Sequence, residues 1–196
     1  QMDISLAAQA VSPSTKAIIP VHLNGRMCDM DAVMALAEAH GLAVIEDAAQ
    51  AFGATIHGRM VGTAADLGIF SLGRGKCIPA GHGGIILAGE RFAPGLAETM
   101  RETIPGGIKR EPASLFRFAA YALATTPFGW WFIARSPLNP AGEGMDAHTL
   151  PPIKYEGFAS TQAGIALSIL ARKNELEAIR RRNARQLLAW LSALEF

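Results

Sequence analysis

Cysteine and net charge are both scarce in this sequence. Cys28 and Cys77 are the two cysteines among 196 residues, which excludes a disulfide framework and points to a reduced compartment. A formal net charge of +1 gives no general argument for nucleic-acid binding. The first residues also lack the basic stretch and apolar run of an export signal. We therefore expect a cytoplasmic globular protein that does not bind nucleic acid.

Charged residues are few as well, at 18% of the chain, whereas 50% are hydrophobic. This balance argues against disorder and is sufficient for a sizeable core in one domain or slightly more. The chain begins at Gln1 and stops at Phe196 inside a helical pattern. We expect an internal piece of a longer protein, although a processed terminus would look the same.

Two common nucleotide-binding motifs are missing from the most glycine-rich stretch, "FSLGRGKCIPAGHGG" (residues 70–84). The phosphate-loop pattern needs a glycine where Phe70 stands and a serine or threonine where Cys77 stands. The dinucleotide pattern fails because Ile78 replaces its third glycine. The lysine between these glycines, Lys76, therefore needs another explanation.

Short apolar runs alternate with a helical pattern in the first half of the chain. The runs fall within residues 15–25, 42–54, 66–73 and 83–89, and the helical pattern covers 30–41. This order predicts an α/β fold with a mainly parallel sheet flanked by helices. Functional residues of such sheets lie beyond the carboxyl ends of the strands, where Asp47, Ser71 and Lys76 are predicted.

The stretch "LFRFAAYALATTPFGWWFIA" (residues 115–134) is unusually apolar. It approaches the roughly 20 apolar residues that a membrane span requires, but Arg117, Pro127 and Gly129 interrupt it. We predict a packed helical hairpin here; a membrane-contacting interfacial segment is the alternative. A Pro- and Gly-rich loop is predicted over 136–145.

Residues 161–196 predict one long amphipathic helix, with apolar residues recurring at helical spacing. The basic run "ARKNELEAIRRRNARQ" is interpreted as a solvated helix face, because acidic residues interleave with the basic ones and no aromatic accompanies them.

Four polar residues near the predicted strand ends form a chemical set: Asp47, Gln50, Ser71 and Lys76. Individually they could be a helix cap, a surface amide, a strand hydroxyl and a solvated cation. Together they suit pyridoxal 5′-phosphate (PLP), which needs a lysine for its Schiff base and an acid for its ring nitrogen. A hydroxyl and a glycine-rich turn would bind its phosphate.

Four segments, "AIIPVHLNG", "VIEDAAQAFGA", "VGTAADLGIFSLGRGK" and "GHGGIILAG", resemble in order and spacing the DegT-like (DegT/DnrJ/StrS) PLP-dependent sugar aminotransferases of fold type I. The resemblance covers about residues 15–90 and resumes at "FASTQAGIALSILARKNELEAIRRRNARQ". It implies that 1–160 are part of the PLP-binding large domain, with an apolar helical elaboration at about 112–135. Residues 161–196 would be a long helix leading into a truncated C-terminal small domain.

The resemblance also implies residue roles. Lys76 matches the Schiff-base lysine, Asp47 the carboxylate on the pyridine nitrogen, Gln50 the contact to the ring hydroxyl, and Ser71 the phosphate-binding serine. The implied reaction converts a nucleotide-linked keto sugar to an amino sugar, with L-glutamate as donor, in a homodimer that serves amino-sugar and polysaccharide biosynthesis.

The sequence departs from the family pattern at two positions near the cofactor or the dimer partner. Asn24 stands where relatives often have an aromatic residue, and Cys77 where they often have asparagine. Substrate contacts at these positions therefore stay open. Further phosphate-binding backbone of the family and most of its small domain have no counterpart here, so we expect this segment alone to be inactive.

Three alternatives remain at this point. A sugar dehydratase of the same family is one, although such relatives carry histidine where Lys76 stands. A non-catalytic regulatory protein on the same fold is the second. An acyl- or phosphoryl-transfer enzyme that uses "GRGK" as an anion site is the third, without a pattern match. The histidines lack metal-ligand spacing, so we expect no metal site and interpret His22 as structural.

Overall fold

The computed structural model of the protein describes residues 2–73, 75–104, 112–124, 126–134 and 157–194. Seven helices are described there: α1 (Ile4–Ala10), α2 (Met30–His40), α3 (Ala93–Thr103), α4 (Pro112–Ala124), α5 (Pro127–Ala134), α6 (Ser160–Ala171) and α7 (Lys173–Ser192). The strands described are β1 (Ala17–Ile18), β2 (Ala43–Asp47), β3 (Thr55–Ile56), β4 (Arg59–Met60), β5 (Leu67–Ser71) and β6 (Gly84–Ala88). Gln1–Ala97 and Gly164–Phe196 form one compact unit and Glu98–Ala163 another.

The main sheet has four strands in the order β1-β2-β5-β6. β1 and β2 are parallel, as are β2 and β5, whereas β5 and β6 are antiparallel. β3 and β4 form a separate antiparallel pair. The predicted α/β class with a mainly parallel sheet is therefore confirmed.

Helix α2 shows how local sequence sets the first strand–helix–strand unit. Asp29 caps its start, because the carboxylate accepts a hydrogen bond of 3.1 Å from Ala32 N. Gly41 ends it in the left-handed conformation, with φ of 64°. The buried Val33 and Ala37 pack in one apolar cluster with Val44 of β2, so this helix covers one face of the sheet.

Successive residues of β2 and β5 face opposite sides of the sheet. In β2, Val44 and Glu46 are buried and Asp47 is half-buried. In β5, Phe70 is buried and Ser71 is half-buried. Parallel pairing in register places Glu46 beside Gly68 and Asp47 beside Ile69, so the half-buried ends of the two strands share one face.

The prediction of one long helix over 161–196 is wrong. The structure has two helices, α6 and α7, which separate at Arg172 (φ −100°, ψ 12°). There the Arg172 amide donates to Ile169 O, three residues back, at 3.1 Å. The Arg172 guanidinium binds both carboxylate oxygens of Glu175 at 2.9 Å each. This side-chain pair lies where one helix changes to the next. The sequence has neither proline nor glycine at this point, so no helix-breaking residue marks the change.

The apolar segment over 115–134 contains α4 and α5, which meet at Thr126. The Thr126 hydroxyl donates to Leu123 O (2.7 Å) and accepts from Gly129 N (3.0 Å), so it closes one helix and caps the next. Within the ranges described, no helix is both long and apolar enough to cross a membrane. The predicted loop at 136–145 lies outside the described residues.

Candidate active site

Asp47 lies at the carboxyl end of β2 and is held there by its backbone. Its amide donates to Pro20 O (2.9 Å), and its carbonyl accepts from His22 N (3.0 Å). Its carboxylate Oδ1 accepts from Ala49 N at 2.9 Å. Within the described part of the chain, Oδ2 makes no hydrogen bond. The carboxylate is therefore oriented through one oxygen and can accept a further donor through the other.

Ser71 and Lys76 are brought together around Gly73. Ser71 ends β5, and its hydroxyl oxygen accepts from Gly73 N at 3.2 Å. The Lys76 amide donates to Gly73 O, also at 3.2 Å. A methyl group at Gly73 would lie 3.2 Å from Ser71 Oγ and 3.8 Å from Lys76 Cγ. The missing side chain therefore leaves space between the hydroxyl and the lysine stem.

Gln50 lies three residues beyond Asp47 and is exposed. Its side-chain oxygen accepts from Asn24 N at 3.3 Å. Asn24 and Gly25 have φ of 52° and 75° and form a tight turn, which Arg26 N closes by donating to Leu23 O (2.9 Å). Gln50 therefore connects this turn to the segment after Asp47, and its side-chain N–H groups have no partner among the described residues.

These side chains fit the chemistry of PLP. Asp47 offers a carboxylate oxygen for a protonated ring nitrogen, and Lys76 offers a primary amine. Ser71 keeps its hydroxyl proton for a phosphate oxygen, because its oxygen already accepts from Gly73. Among the described residues, the Lys76 ammonium has no ion-pair or hydrogen-bond partner. The described side chains therefore offer an acceptor for a ring nitrogen, a hydroxyl donor for a phosphate and an amine for a carbonyl carbon.

Sequence reasoning missed a buried hydrogen-bonded pair directly behind this site. His22 Nε2 lies 3.0 Å from Glu46 Oε1, and the two side chains are 0% and 1% exposed. His22 Nδ1 accepts from Cys28 N at 3.1 Å, so the ring proton is on Nε2, which donates to Glu46. The expectation that His22 is structural is confirmed. Strand alternation contained the signal, since it places Glu46 on the same face as Val44.

Both carboxylate oxygens of Glu46 accept hydrogen bonds in the core. Oε1 also accepts from Gly62 N (2.7 Å), and Oε2 accepts from Ala64 N (2.9 Å). A buried carboxylate with three donors is satisfied and stays in place. Its neighbour Asp47, on the opposite face, is the residue that can contact a ligand.

Comparison with known proteins identifies relatives of this chain. The profile of the DegT/DnrJ/EryC1/StrS aminotransferase family matches residues 1–118. A UDP-N-acetyl-3-dehydro-alpha-D-glucosamine 3-aminotransferase of Acidithiobacillus ferrooxidans is 50% identical over 90 residues, which are 45% of this chain and 24% of that protein. A dTDP-3-amino-3,4,6-trideoxy-alpha-D-glucose transaminase of Streptomyces venezuelae is 44% identical over 101 residues, or 51% of this chain and 26% of that protein.

Solved structures give the same relationship over nearly the whole chain. The crystal structure of S. venezuelae DesV, in complex with a ketimine intermediate, matches with a TM-score of 0.62 and 29% identity. The match covers 99% of this chain and 42% of DesV. The chain therefore spans less than half of DesV. The matched segments cover about a quarter of each of the two transaminases.

Proposed function

Since the chain belongs to the DegT/DnrJ/EryC1/StrS aminotransferase family, we propose that it forms part of the active site of a PLP-dependent sugar aminotransferase. The protein would transfer an amino group from an amino acid, L-glutamate, to a keto sugar carried by a nucleotide. Its fold is that of fold-type I aminotransferases, in part. The proposal rests on one observation. Lys76 and Ser71 lie around Gly73, beside the strand that ends at Asp47.

Each residue then has a role that follows from its contacts. PLP, when bound, withdraws electrons from the bond that is broken at the amino donor. Asp47 Oδ2 would accept a hydrogen bond from the protonated ring nitrogen and balance its charge. Ser71 would donate to the phosphate, and Gln50 to the ring hydroxyl. Lys76 would hold the cofactor covalently and then take the proton from the donor's α-carbon.

The substrate class is supported by the relatives rather than by the described geometry. The two transaminases named above carry UDP- and dTDP-linked sugars in their names. Asn24 and Cys77 differ from the family's usual residues, and Cys77 follows Lys76 directly. We therefore assign sugar selectivity in part to these two positions.

The domain organisation and assembly of the protein belong to the same proposal. Residues 1–160 would be part of the large domain, with α4 and α5 as an elaboration, and 161–196 would lead into a small domain. We propose a homodimer located in the cytoplasm. Ile19, Val21 and Leu23 support an interface, because these apolar side chains beside the site are 50%, 40% and 47% exposed.

Replacement of Lys76 tests the proposal. In the full-length protein, Lys76→Ala should remove the visible absorption of lysine-bound PLP and lower transamination by about 10³-fold or more. Lys16→Ala is the matched control, since Lys16 is an exposed lysine remote in sequence from the site, and it should retain both. A Lys76→Ala protein with full transaminase activity would contradict the proposal.

A further inference from the structure

We propose that His22, Glu46 and the segment of residues 61–64, here named the supporting loop, are positioning elements that fix the spacing between Asp47 and Ser71. This inference rests on the proposed function, because the spacing matters only if one small group of limited reach contacts both side chains. Glu46 and the supporting loop lie on the sheet face opposite Asp47 and Ser71, so they would act through the strands that carry these two residues.

Side chains alternate between the two faces of the sheet along β2 and β5. Register places Glu46 beside Gly68, so Glu46, Gly68 and Phe70 share one face of the sheet. Asp47 and Ser71 share the opposite face. Glu46 is fully buried and Phe70 is 5% exposed. Each of these two site residues is therefore directly preceded in its strand by a buried residue on the opposite face, here called the rear face.

The supporting loop contacts both β2 and β5 on this rear face. Glu46 accepts hydrogen bonds from Gly62 N and Ala64 N, at 2.7 Å and 2.9 Å. A methyl group at Gly62 would collide with the Phe70 ring, and one at Gly68 would collide with Gly62 O. Gly62 therefore lies directly against β2 and β5 and couples the position of one strand to the other.

His22 connects β2 to the neighbouring chain segments. Its ring donates to Glu46 and accepts from Cys28 N, and its backbone N–H donates to Asp47 O at 3.0 Å. The ring has no second proton to give, so both ring contacts depend on one tautomer. His22 therefore connects the strand segment before it, the core beside Cys28 and both acidic residues of β2.

The consequence for PLP follows from its shape. Its ring nitrogen lies in a planar ring, and a short CH₂–O linker joins its phosphate to the same ring. The distance between the two groups therefore varies only over a narrow range, and the groups that bind them must hold a matching separation. A displacement of about 1 Å in a positioned site is costly, because the bound group cannot adapt. Removing hydrogen bonds between Glu46, His22 and the supporting loop should therefore weaken PLP binding while the chain still folds.

The test measures PLP affinity and the absorption spectrum of the full-length protein carrying Glu46→Gln. The new amide N–H₂ faces an N–H donor, either Ala64 N or the Gly62 and His22 donors, so one buried contact becomes repulsive. We expect the PLP dissociation constant to rise about tenfold, with a shifted absorption maximum of the bound PLP. Glu38→Gln, the same change at an exposed residue, should match the wild type.

Two variants of His22 separate a positioning role from general destabilisation. His22→Gln places an amide N–H where the ring donates to Glu46, whereas His22→Asn keeps an acceptor for Cys28 N and loses that donor. We expect His22→Gln to retain PLP affinity and His22→Asn to resemble Glu46→Gln. Circular dichroism at the temperature of the binding assay checks that each variant is folded.

The inference is overturned if folded Glu46→Gln and His22→Asn bind PLP with wild-type affinity and spectrum. If Glu46→Gln does not fold, the His22 pair decides: equal PLP affinity in the two variants overturns the inference. Failure of the wild-type protein itself to bind PLP is a different result, because it contradicts the proposed function.

Discussion

Glu46 and Asp47 are adjacent carboxylates with opposite roles, because a β-strand turns successive side chains to opposite faces. Glu46 accepts three hydrogen bonds in the core. Asp47 keeps one oxygen for a ligand on the half-buried face. The motif resemblance identified Asp47 as a site residue. Nothing in it identified Glu46, although the alternating burial of β2 would have placed a carboxylate in the core and required a partner for it.

Glycine has a steric role at Gly68. A methyl group there would collide with the Gly62 backbone oxygen, which cannot move without disturbing the supporting loop. We expect Gly68→Ala to lower the free energy of unfolding by about 3 kcal/mol or more.

The matched control for this change is Gly164→Ala, in helix α6. No atom lies within 4 Å of the added methyl group at this position, so helix propensity decides the sign. We expect the free energy of unfolding to rise by roughly 0.5–1 kcal/mol. Denaturant unfolding monitored by circular dichroism measures both variants. Equal effects of the two substitutions would show that the contact between Gly68 and Gly62 does not constrain the sheet.

At the scale of elements, the sequence predicts periodic segments well and their interruptions poorly. The α2 unit follows from a cap at Asp29, an apolar face and a stop at Gly41. The break between α6 and α7 has no such marker, because Arg172 and Glu175 are ordinary helix residues that pair across one turn. That pairing depends on side-chain conformation, which periodicity does not reveal.

Because of the Arg172–Glu175 pair, we expect the stability of the first turn of α7 to depend on pH. Hydrogen bonds from Arg172, and then its charge, hold the pKa of Glu175 below its ordinary value. The pair therefore stabilises the folded state above the unfolded-state pKa, and this effect is lost as pH falls through the lowered pKa. Glu175→Gln should speed hydrogen exchange slightly at Leu176 and its neighbours near neutral pH.

The ratio of exchange rates between Glu175→Gln and the wild type is the quantity to measure. It should fall to one at a pH below the Glu175 pKa, because the wild-type carboxyl group is then also uncharged. Both side chains are more than half exposed, so the effect should be small and weaken with added salt. A ratio that does not change with pH would contradict the role of the ion pair.

At the scale of the whole molecule, the fold class and the local set around Lys76 could be predicted from four short segments. The parallel sheet and the placement of Asp47 and Ser71 at the ends of adjacent strands agree with that expectation. The hydrogen bonds behind the site could not be predicted, because they connect Glu46 with His22, 24 residues before it, and with Gly62, 16 residues after it. Such contacts arise only when separate strands and loops pack together.

In the proposed function, Lys76 holds PLP and the PLP-bound protein accepts an amino group from L-glutamate. The most direct measurement is the absorption spectrum of the full-length protein, reconstituted with PLP, before and after L-glutamate is added. We expect a band near the visible edge that disappears on addition of L-glutamate and returns when a keto acceptor is added. If the protein shows no such band even with excess PLP, Lys76 does not hold this cofactor and the proposed function is wrong.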